Sequence, residues 1–102
     1  MEQRILKIIR QKKAELAEEG FEIIGIFGSY ARDEATEQSD IDIAYDIKAP
    51  FVEKYHGFEA FSRLKEIKDE LKKALGKEVD LATIDQMSRT FQTYALKDLY
   101  RV

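Results

Sequence analysis

The sequence predicts an α/β (α+β) domain in which a small sheet of three to four strands is flanked by helices. In three long segments, apolar residues recur at the spacing of one helical face. Three short runs rich in β-branched and aromatic residues are typical of strands. A chain of 102 residues, 44% of them hydrophobic, can bury one modest core. We therefore expect one domain over residues 1–102.

The first half of the chain is predicted to run from a helix into two strands. The helix ends before Gly20. Its apolar face is formed by Ile5, Leu6, Ile8, Ile9 and Leu16. The following strand, residues 21–27, is apolar on both faces, and the polar residues 30–39 are predicted to form one short helical turn and a loop. Residues 40–46 alternate polar with apolar side chains, as a half-buried strand does.

The second half is predicted to contain two helices separated by a strand. Pro50 and Gly57 bracket a loop, after which a helix runs as far as Gly76. Its stripe of apolar residues is expected to lie in the core and comprises Phe58, Phe61, Leu64 and Ile67. Residues 78–84 form the third strand, and Asp85 is placed to cap the final helix. The apolar residues assigned to that helix are Phe91, Tyr94, Ala95, Leu99 and Val102.

Composition excludes several classes of function. The absence of cysteine excludes disulfides and favours a reducing, cytoplasmic location. No apolar run approaches the roughly 20 residues that span a bilayer, so we expect a soluble protein with no membrane association. The net charge of −3 gives no basic footprint, so we expect no direct DNA binding. Any nucleotide must be held by a local site.

The first candidate site is the end of the first strand, at Gly28 and Ser29. A strand that ends in Gly-Ser before a helical turn leaves backbone N–H groups directed at one point, where they can bind a phosphate. Ser29 would add a hydroxyl donor, and Arg32 could supply positive charge. The alternative is an ordinary turn with no ligand.

The second candidate site is the pair of aspartates on the second strand. Residues two apart on a strand share a face, so the carboxylates of Asp40 and Asp42 lie side by side. Mg²⁺ prefers such oxygen ligands, although a solvated strand face is the alternative. If the third strand pairs beside the second, Asp80 joins them across the ladder. Three convergent carboxylates suit a two-metal centre.

The stretch GSYARDEATEQSDIDIAYD, followed later by EVDLATI, resembles the nucleotidyltransferase superfamily related to DNA polymerase β. More narrowly, it is similar to the minimal nucleotidyltransferases, the antitoxins encoded beside HEPN-domain toxins. The likeness is strong over residues 21–46 and moderate over residues 78–84. It implies the nucleotidyltransferase fold, with a mixed sheet.

The resemblance also implies roles for individual residues. Gly28 and Ser29 would hold the terminal phosphates of the nucleotide, and two Mg²⁺ ions would be bound by the three acids Asp40, Asp42 and Asp80. The candidate nucleotide-binding residues are Gly28, Ser29, Arg32 and Ser39. One departure is Asp33, which stands where the family usually has glycine. The loop after it could take another conformation, or Asp33 could simply end the turn or face solvent.

The function implied is transfer of a nucleoside monophosphate from a nucleoside triphosphate, with ATP as the expected donor, to a hydroxyl. The expected acceptor is a tyrosine of a HEPN-family toxin, so that the protein acts as an antitoxin. One alternative is a non-catalytic antitoxin that neutralises its partner by covering it. Another is a small-molecule nucleotidyltransferase of the aminoglycoside-modifying type, although such enzymes normally carry a further helical domain.

The predicted final helix carries more apolar residues than one narrow stripe. A domain with a small interior cannot bury all of them. We therefore expect contact with a second copy or with another protein through the C-terminal helix. The alternative is that these residues close the open face of the sheet.

Overall fold

The computed structural model describes residues 1–83, Asp85 and residues 88–102, apart from the side chain of Tyr94. Ile84, predicted as the end of the third strand, and the Tyr94 side chain lie outside the described residues. The described elements are, in order, α1 (Gln3–Ala17), β1 (Phe21–Phe27), β2 (Ile41–Ile47), α2 (Ala49–Lys54), α3 (Phe58–Leu75), β3 (Val79–Thr83), α4 (Arg89–Lys97) and β4 (Tyr100–Arg101).

Within these ranges the strands form one mixed sheet of four, in the order β3-β2-β1-β4. β1 is antiparallel to β2 and to β4, whereas β2 and β3 are parallel. The predicted α/β fold class is confirmed, and the third strand does pair beside the second. Because of these directions, the end of β1 and the starts of β2 and β3 meet at the same edge of the sheet.

The two faces of the sheet are covered unequally. The main core lies on one face, where α1 and α3 bury aliphatic side chains such as Ile9, Ile43 and Ile67. On the other face, the described residues form a small cluster around Phe27 and Ala44, covered by Ala95 of α4. Asp42 and Asp80 alternate with the core residues of their strands and so project on this second, more open face.

A β-bulge in β1 places Phe27 on the open face. The pairing of β1 with β2 shifts between Ile23 and Gly25. As a result, Ile23 and Ile26 both point into the main core although they are three residues apart. Phe27 then turns to the other face and lies opposite Asp42.

The segment predicted as a loop between Pro50 and Gly57 contains a helix, α2. Pro50 lies in the first turn of α2. The N–H groups of the first turn make no hydrogen bond within the helix, so a residue without an N–H costs nothing there. The helix is held by Phe51, which is buried against the core. The prediction treated Pro50 as a helix breaker, although a proline at a helix start is compatible with the helix.

The C-terminal prediction is also corrected. The hydroxyl of Ser88, not Asp85, accepts the N–H of Phe91 at 3.1 Å, because α4 begins only at Arg89. The chain after α4 leaves the helix and pairs with β1 as β4. This pairing extends to Val102, whose N–H donates to the carbonyl of Ile24.

The apolar stripe of α3 is only partly buried. Phe58 is 91% exposed and Phe61 is 71% exposed, so the prediction that they lie in the core is wrong. The helix enters the core through its later turns, at Ile67 and Leu71. The periodicity of the apolar residues predicted the helix correctly, but it does not show which turns of the helix pack against the core. Among the described helices, none is long and apolar enough to cross a membrane.

The start of α3 is held by an ion pair across the molecule. Arg63 donates from Nε and Nη2 to the carboxylate of Glu19, at 2.6 and 2.9 Å, and Tyr55 donates its hydroxyl to the same group. The two charged side chains are 16% and 18% exposed. The hydrogen bond from Arg63 is the main reason that the pKa of Glu19 lies below its ordinary value of 4.5.

Glu19→Gln is expected to destabilise the protein at neutral pH by about 1 to 2 kcal/mol, because a charge-assisted pair of low exposure is lost. Since the folded pKa is lowered, this stabilisation is present above pH 4.5 and disappears as the pH falls below it. Thermal melts at pH 7 and pH 3.5 measure the effect. Glu2→Gln, which removes an exposed pair with Arg4, is the control and should shift stability by less than about 0.5 kcal/mol. Equal effects of the two substitutions would contradict this assignment.

Candidate active site

Asp42 lies at the centre of the predicted site. It is on β2, opposite Phe27 of β1 on one side and Asp80 of β3 on the other. Neighbouring strands are about 4.8 Å apart, so Asp42 and Asp80 project side by side from the open face of the sheet. Asp40 is exposed and directly precedes β2, two residues before Asp42. The three predicted acids therefore lie at one edge of the sheet.

The electrostatics of Asp42 differ from those of a surface carboxylate. Its pKa is raised from 3.8 to about 6, mainly by burial and then by the negative charges of Asp80 and Asp40. The positive charge of Arg32 lowers the pKa of Asp42. Three acids that act on one another in this way form a group that a cation would stabilise.

Gly28 lies directly against Asp42. It has a φ of +74°, in the left-handed region that favours glycine. A Cβ atom at this position would overlap Oδ2 of Asp42. The glycine therefore brings the backbone after β1 into contact with the carboxylate, so that the two predicted sites form one.

The predicted helical turn after Gly28 is a single turn and does not extend into an α-helix. The N–H of Arg32 donates to the carbonyl of Gly28 at 3.2 Å, and the N–H of Glu34 donates to Ser29 at 2.9 Å. Asp33 stops the turn because it adopts a φ of +57°. Asp33 thus takes the conformation that a glycine would take, and its side chain is 74% exposed.

The backbone of this turn has free donors. Among the described residues, the N–H groups of Ser29, Tyr30 and Ala31 have no acceptor. Successive free N–H groups in a turn form a concave site for an anion. This is the arrangement that the sequence analysis expected at the end of β1.

A cleft of about 340 Å³ opens beside Gly28 and Asp42. Its walls come from β1, the turn, β2 and α4, and its lining residues are Phe27, Gly28, Arg32, Asp42, Phe91, Ala95 and Asp98. The sequence did not predict the contribution of Phe91 and Ala95 of α4 and of Asp98, which follows α4. The only signal was the excess of apolar residues near the C-terminus, which does not show where α4 packs.

Ser39 is separated from this cleft. Its hydroxyl accepts the N–H of Thr36 at 2.8 Å and so stabilises the loop before β2. Together with Asp40, it lines a second cleft of about 480 Å³ near the end of α3. The structure thus brings Gly28, Arg32 and Asp42 together in one cleft, whereas Ser39 lines the other.

The chemistry of the acidic residues fits a divalent cation. All three acids offer carboxylate oxygens, the ligands that Mg²⁺ prefers, and burial of Asp42 increases its need for a positive neighbour. Within residues 1–83, 85 and 88–102, no three acidic or histidine side chains are already arranged as a ligand cluster. The fit therefore rests on the donor set and on the contact between Gly28 and Asp42.

Comparison with known proteins places the chain in a family. The family described as the nucleotidyltransferase domain matches residues 3–101. The protein adenylyltransferase MntA of Thermococcus cleftensis is 31% identical over 101 residues, which cover 98% of this chain and 94% of that protein. A candidate protein adenylyltransferase of Methanocaldococcus jannaschii is 35% identical over 95 residues, covering 92% of this chain and 89% of its own.

Solved structures agree on the fold. A candidate minimal nucleotidyltransferase superposes with a TM-score of 0.67 at 22% identity, covering 96% of this chain and 95% of its own. A chain of a toxin–antitoxin crystal structure with AMP-PNP superposes with a TM-score of 0.61 at 24% identity, covering 96% of this chain and 68% of its own. With the family match over almost the whole chain, these findings confirm the resemblance seen in the sequence: the chain belongs to the nucleotidyltransferase family.

Proposed function

We propose that the protein transfers a nucleoside monophosphate from a nucleoside triphosphate, with ATP as the donor, to a hydroxyl group of a partner protein. The observation that carries this proposal is the contact between Gly28 and Asp42, with Asp80 alongside. It joins a turn with free N–H groups to a group of carboxylates. Transfer of a nucleotidyl group needs such a pair of features, one for the phosphate chain and one for the reacting phosphorus.

The proposed reaction is a direct displacement. The acceptor oxygen forms a bond to the α-phosphorus, the bond from that phosphorus to the oxygen bridging to the β-phosphate breaks, and pyrophosphate leaves with the electron pair. Asp80, exposed at the start of β3, accepts the proton of the acceptor hydroxyl. Two Mg²⁺ ions, held by Asp40, Asp42 and Asp80, would neutralise the charge of the phosphates when bound.

Other residues hold the nucleotide. Gly28 and Ser29 bind the terminal phosphates through the backbone donors of the turn and the Ser29 hydroxyl. Arg32 adds positive charge from the side of the cleft. Ser39 lies outside this cleft, so in this proposal it stabilises the loop that carries Asp40, through the hydrogen bond from Thr36, and makes no contact with the nucleotide. Positioning and charge neutralisation account for most of the rate in chemistry of this kind.

The proposed acceptor is a tyrosine of a HEPN-family toxin, which makes the protein an antitoxin that acts in the cytoplasm as a single domain over residues 1–102. Two comparisons support the coarser part of this proposal, a protein acceptor that is a toxin. Full-length relatives carry the name protein adenylyltransferase, and a structural neighbour is a chain of a toxin–antitoxin complex with an ATP analogue. The apolar residues left exposed on α4, Phe91 and Leu96, offer a surface for a toxin or a second copy.

A second candidate function is neutralisation of the toxin by covering it, without catalysis. The exposure of Phe58 and Phe61 favours this possibility, because two adjacent aromatic side chains in water are unusual outside interaction surfaces. The ion pair between Arg63 and Glu19 holds this part of α3 in place.

A growth assay with the toxin separates the two functions. Cells that express the toxin together with wild-type protein should grow, and the variant Asp40→Asn, Asp42→Asn should lose protection while still co-purifying with the toxin. Glu37→Gln, an exposed acid close to the site, is the control and should protect fully. Full protection by the double variant would overturn the catalytic proposal and establish the covering function.

A further inference from the structure

The cleft beside Asp42 contains an ion pair whose acidic partner, Asp98, has no role in the proposed function. Arg32 of the turn after β1 and Asp98, just beyond α4, lie on its two sides, with Nη1 of the arginine 3.4 Å from Oδ2 of the aspartate. The same guanidinium also donates from Nε to Glu34 at 3.1 Å. We propose that Asp98 is a positioning residue: it holds the Arg32 guanidinium over the cleft, where that group binds the phosphate chain of the nucleotide. This inference rests on the proposed function.

The hydrogen-bonding capacity of Arg32 supports the proposal. A guanidinium has five N–H donors in a planar fork. Glu34 takes the donor on Nε and Asp98 takes one on Nη1. Nη2 donates to none of the described residues. The remaining N–H groups can bind two phosphate oxygens while both carboxylates hold the plane of the guanidinium in position.

The location of Arg32 places its free N–H donors where the phosphate chain of a bound nucleotide would lie. Arg32 lines the same cleft as Gly28 and Asp42, so a phosphate chain bound at the turn passes beside the guanidinium. Its charge already acts on Asp42, whose pKa it lowers against the effects of burial and of the other two acids. Arg32 therefore lies on the side of the site where negative charge accumulates when a nucleotide binds.

The two partners of Arg32 differ in their surroundings, which provides a matched control. Asp98 is 30% exposed and lines the cleft. Glu34 is 66% exposed and does not line it. Glu34 is close in sequence and could only fix the arginine locally, whereas Asp98 ties it to the C-terminal part of the chain. Only the Asp98 contact directs the guanidinium across the cleft.

The test is the affinity of the full-length protein for ATP with Mg²⁺, measured by titration calorimetry, with adenosine as the probe that lacks phosphates. We expect Asp98→Asn to weaken ATP binding about fivefold to tenfold and to leave adenosine binding unchanged. Glu34→Gln should change neither, and Asp98→Glu should restore most of the affinity. In an Arg32→Gln background, Asp98→Asn should have no further effect. Circular dichroism checks that each variant is folded.

Three results would overturn the proposal: unchanged ATP affinity in Asp98→Asn, an equal loss in the Arg32→Gln background, or no ATP binding by the wild-type protein. The binding pattern does not depend on transfer. If the variants show the expected ATP affinities but no acceptor is labelled, the proposed function is wrong and the positioning role of Asp98 stands. If an acceptor is labelled but the affinities differ from those expected, only the positioning role of Asp98 is wrong.

Discussion

Asp42→Asn is expected to abolish nucleotide transfer and, at the same time, to raise the melting temperature of the metal-free protein at neutral pH. Activity should fall by about 10³-fold or more, because the amide carries no charge to bind a cation or to act on the reacting phosphate. Stability should rise because the substitution removes a half-buried charge that lies beside two other acids.

The sign of the pH dependence follows from the raised pKa. The folded protein binds the proton on Asp42 more tightly than the unfolded chain, so wild-type stability falls as the pH rises from 3.8 through about 6. The difference between the pKa of 3.8 in the unfolded chain and of about 6 in the folded protein corresponds to about 3 kcal/mol of stability. Because the carboxyl is partly exposed, solvent screening reduces this effect to about 1 kcal/mol. That is about 4 to 8 °C in melting temperature for a domain of this size.

Thermal melts in EDTA at pH 7.5 and pH 3.5 measure this effect. The variant should be more stable than wild type at pH 7.5 and equal to it at pH 3.5. Asp46→Asn is the control, because Asp46 is on the same strand but has its pKa lowered by Lys48, so this variant should gain no stability. A variant at Asp42 that is less stable than wild type at pH 7.5 would contradict the description of Asp42 as a half-buried acid destabilised by burial and by the charges of Asp80 and Asp40.

Gly28→Ala is expected to have the second large effect. The new Cβ would overlap Oδ2 of Asp42, and the residue would have to keep a φ of +74°. We expect a loss of about 2 to 4 kcal/mol in the free energy of unfolding. Transfer should fall by at least about 100-fold, because the turn can no longer approach the carboxylate.

Gly76→Ala separates the two causes. Gly76 is also in the left-handed region, with a φ of +67°, but its Cβ would meet no atom within 4 Å. This control should lose only about 1 kcal/mol of stability and keep full activity. Denaturant unfolding and a transfer assay measure both quantities. If the two alanine variants lost the same stability and activity, the close contact between Gly28 and Asp42 would have no special role.

The local chemistry of the site could be predicted from the sequence because it lies within short stretches. The alternation of apolar and acidic residues predicted that Asp40 and Asp42 share a face, and Gly-Ser at a strand end predicted the turn. Asp80 was singled out as the acid of the third predicted strand, but its place beside Asp42 depended on a strand pairing that the sequence left open. The structure supplied the pairing of β2 with β3, which puts Asp42 beside Asp80.

The missed features depend on contacts between distant segments. The role of α4 in the cleft, through Phe91 and Asp98, follows from packing that no local pattern contains. The burial of α3 was overestimated for the same reason, because the period of Phe58 and Phe61 indicates a helix but not a neighbour. For Asp33 the second of the two possibilities left open by the sequence holds: it ends the turn and faces solvent, because an aspartate can adopt the left-handed conformation that glycine adopts more easily.

The central claim is that one site on the open face of the sheet moves a nucleoside monophosphate. The most direct test incubates the protein with Mg²⁺, the HEPN-family toxin proposed as its partner, and ATP labelled either at the α-phosphate or at the γ-phosphate. The account predicts that the partner acquires label from α-labelled ATP only, that pyrophosphate is released in equal amount, and that Asp42→Asn transfers nothing. Transfer of the γ-label, or equal labelling by wild type and Asp42→Asn, would contradict it.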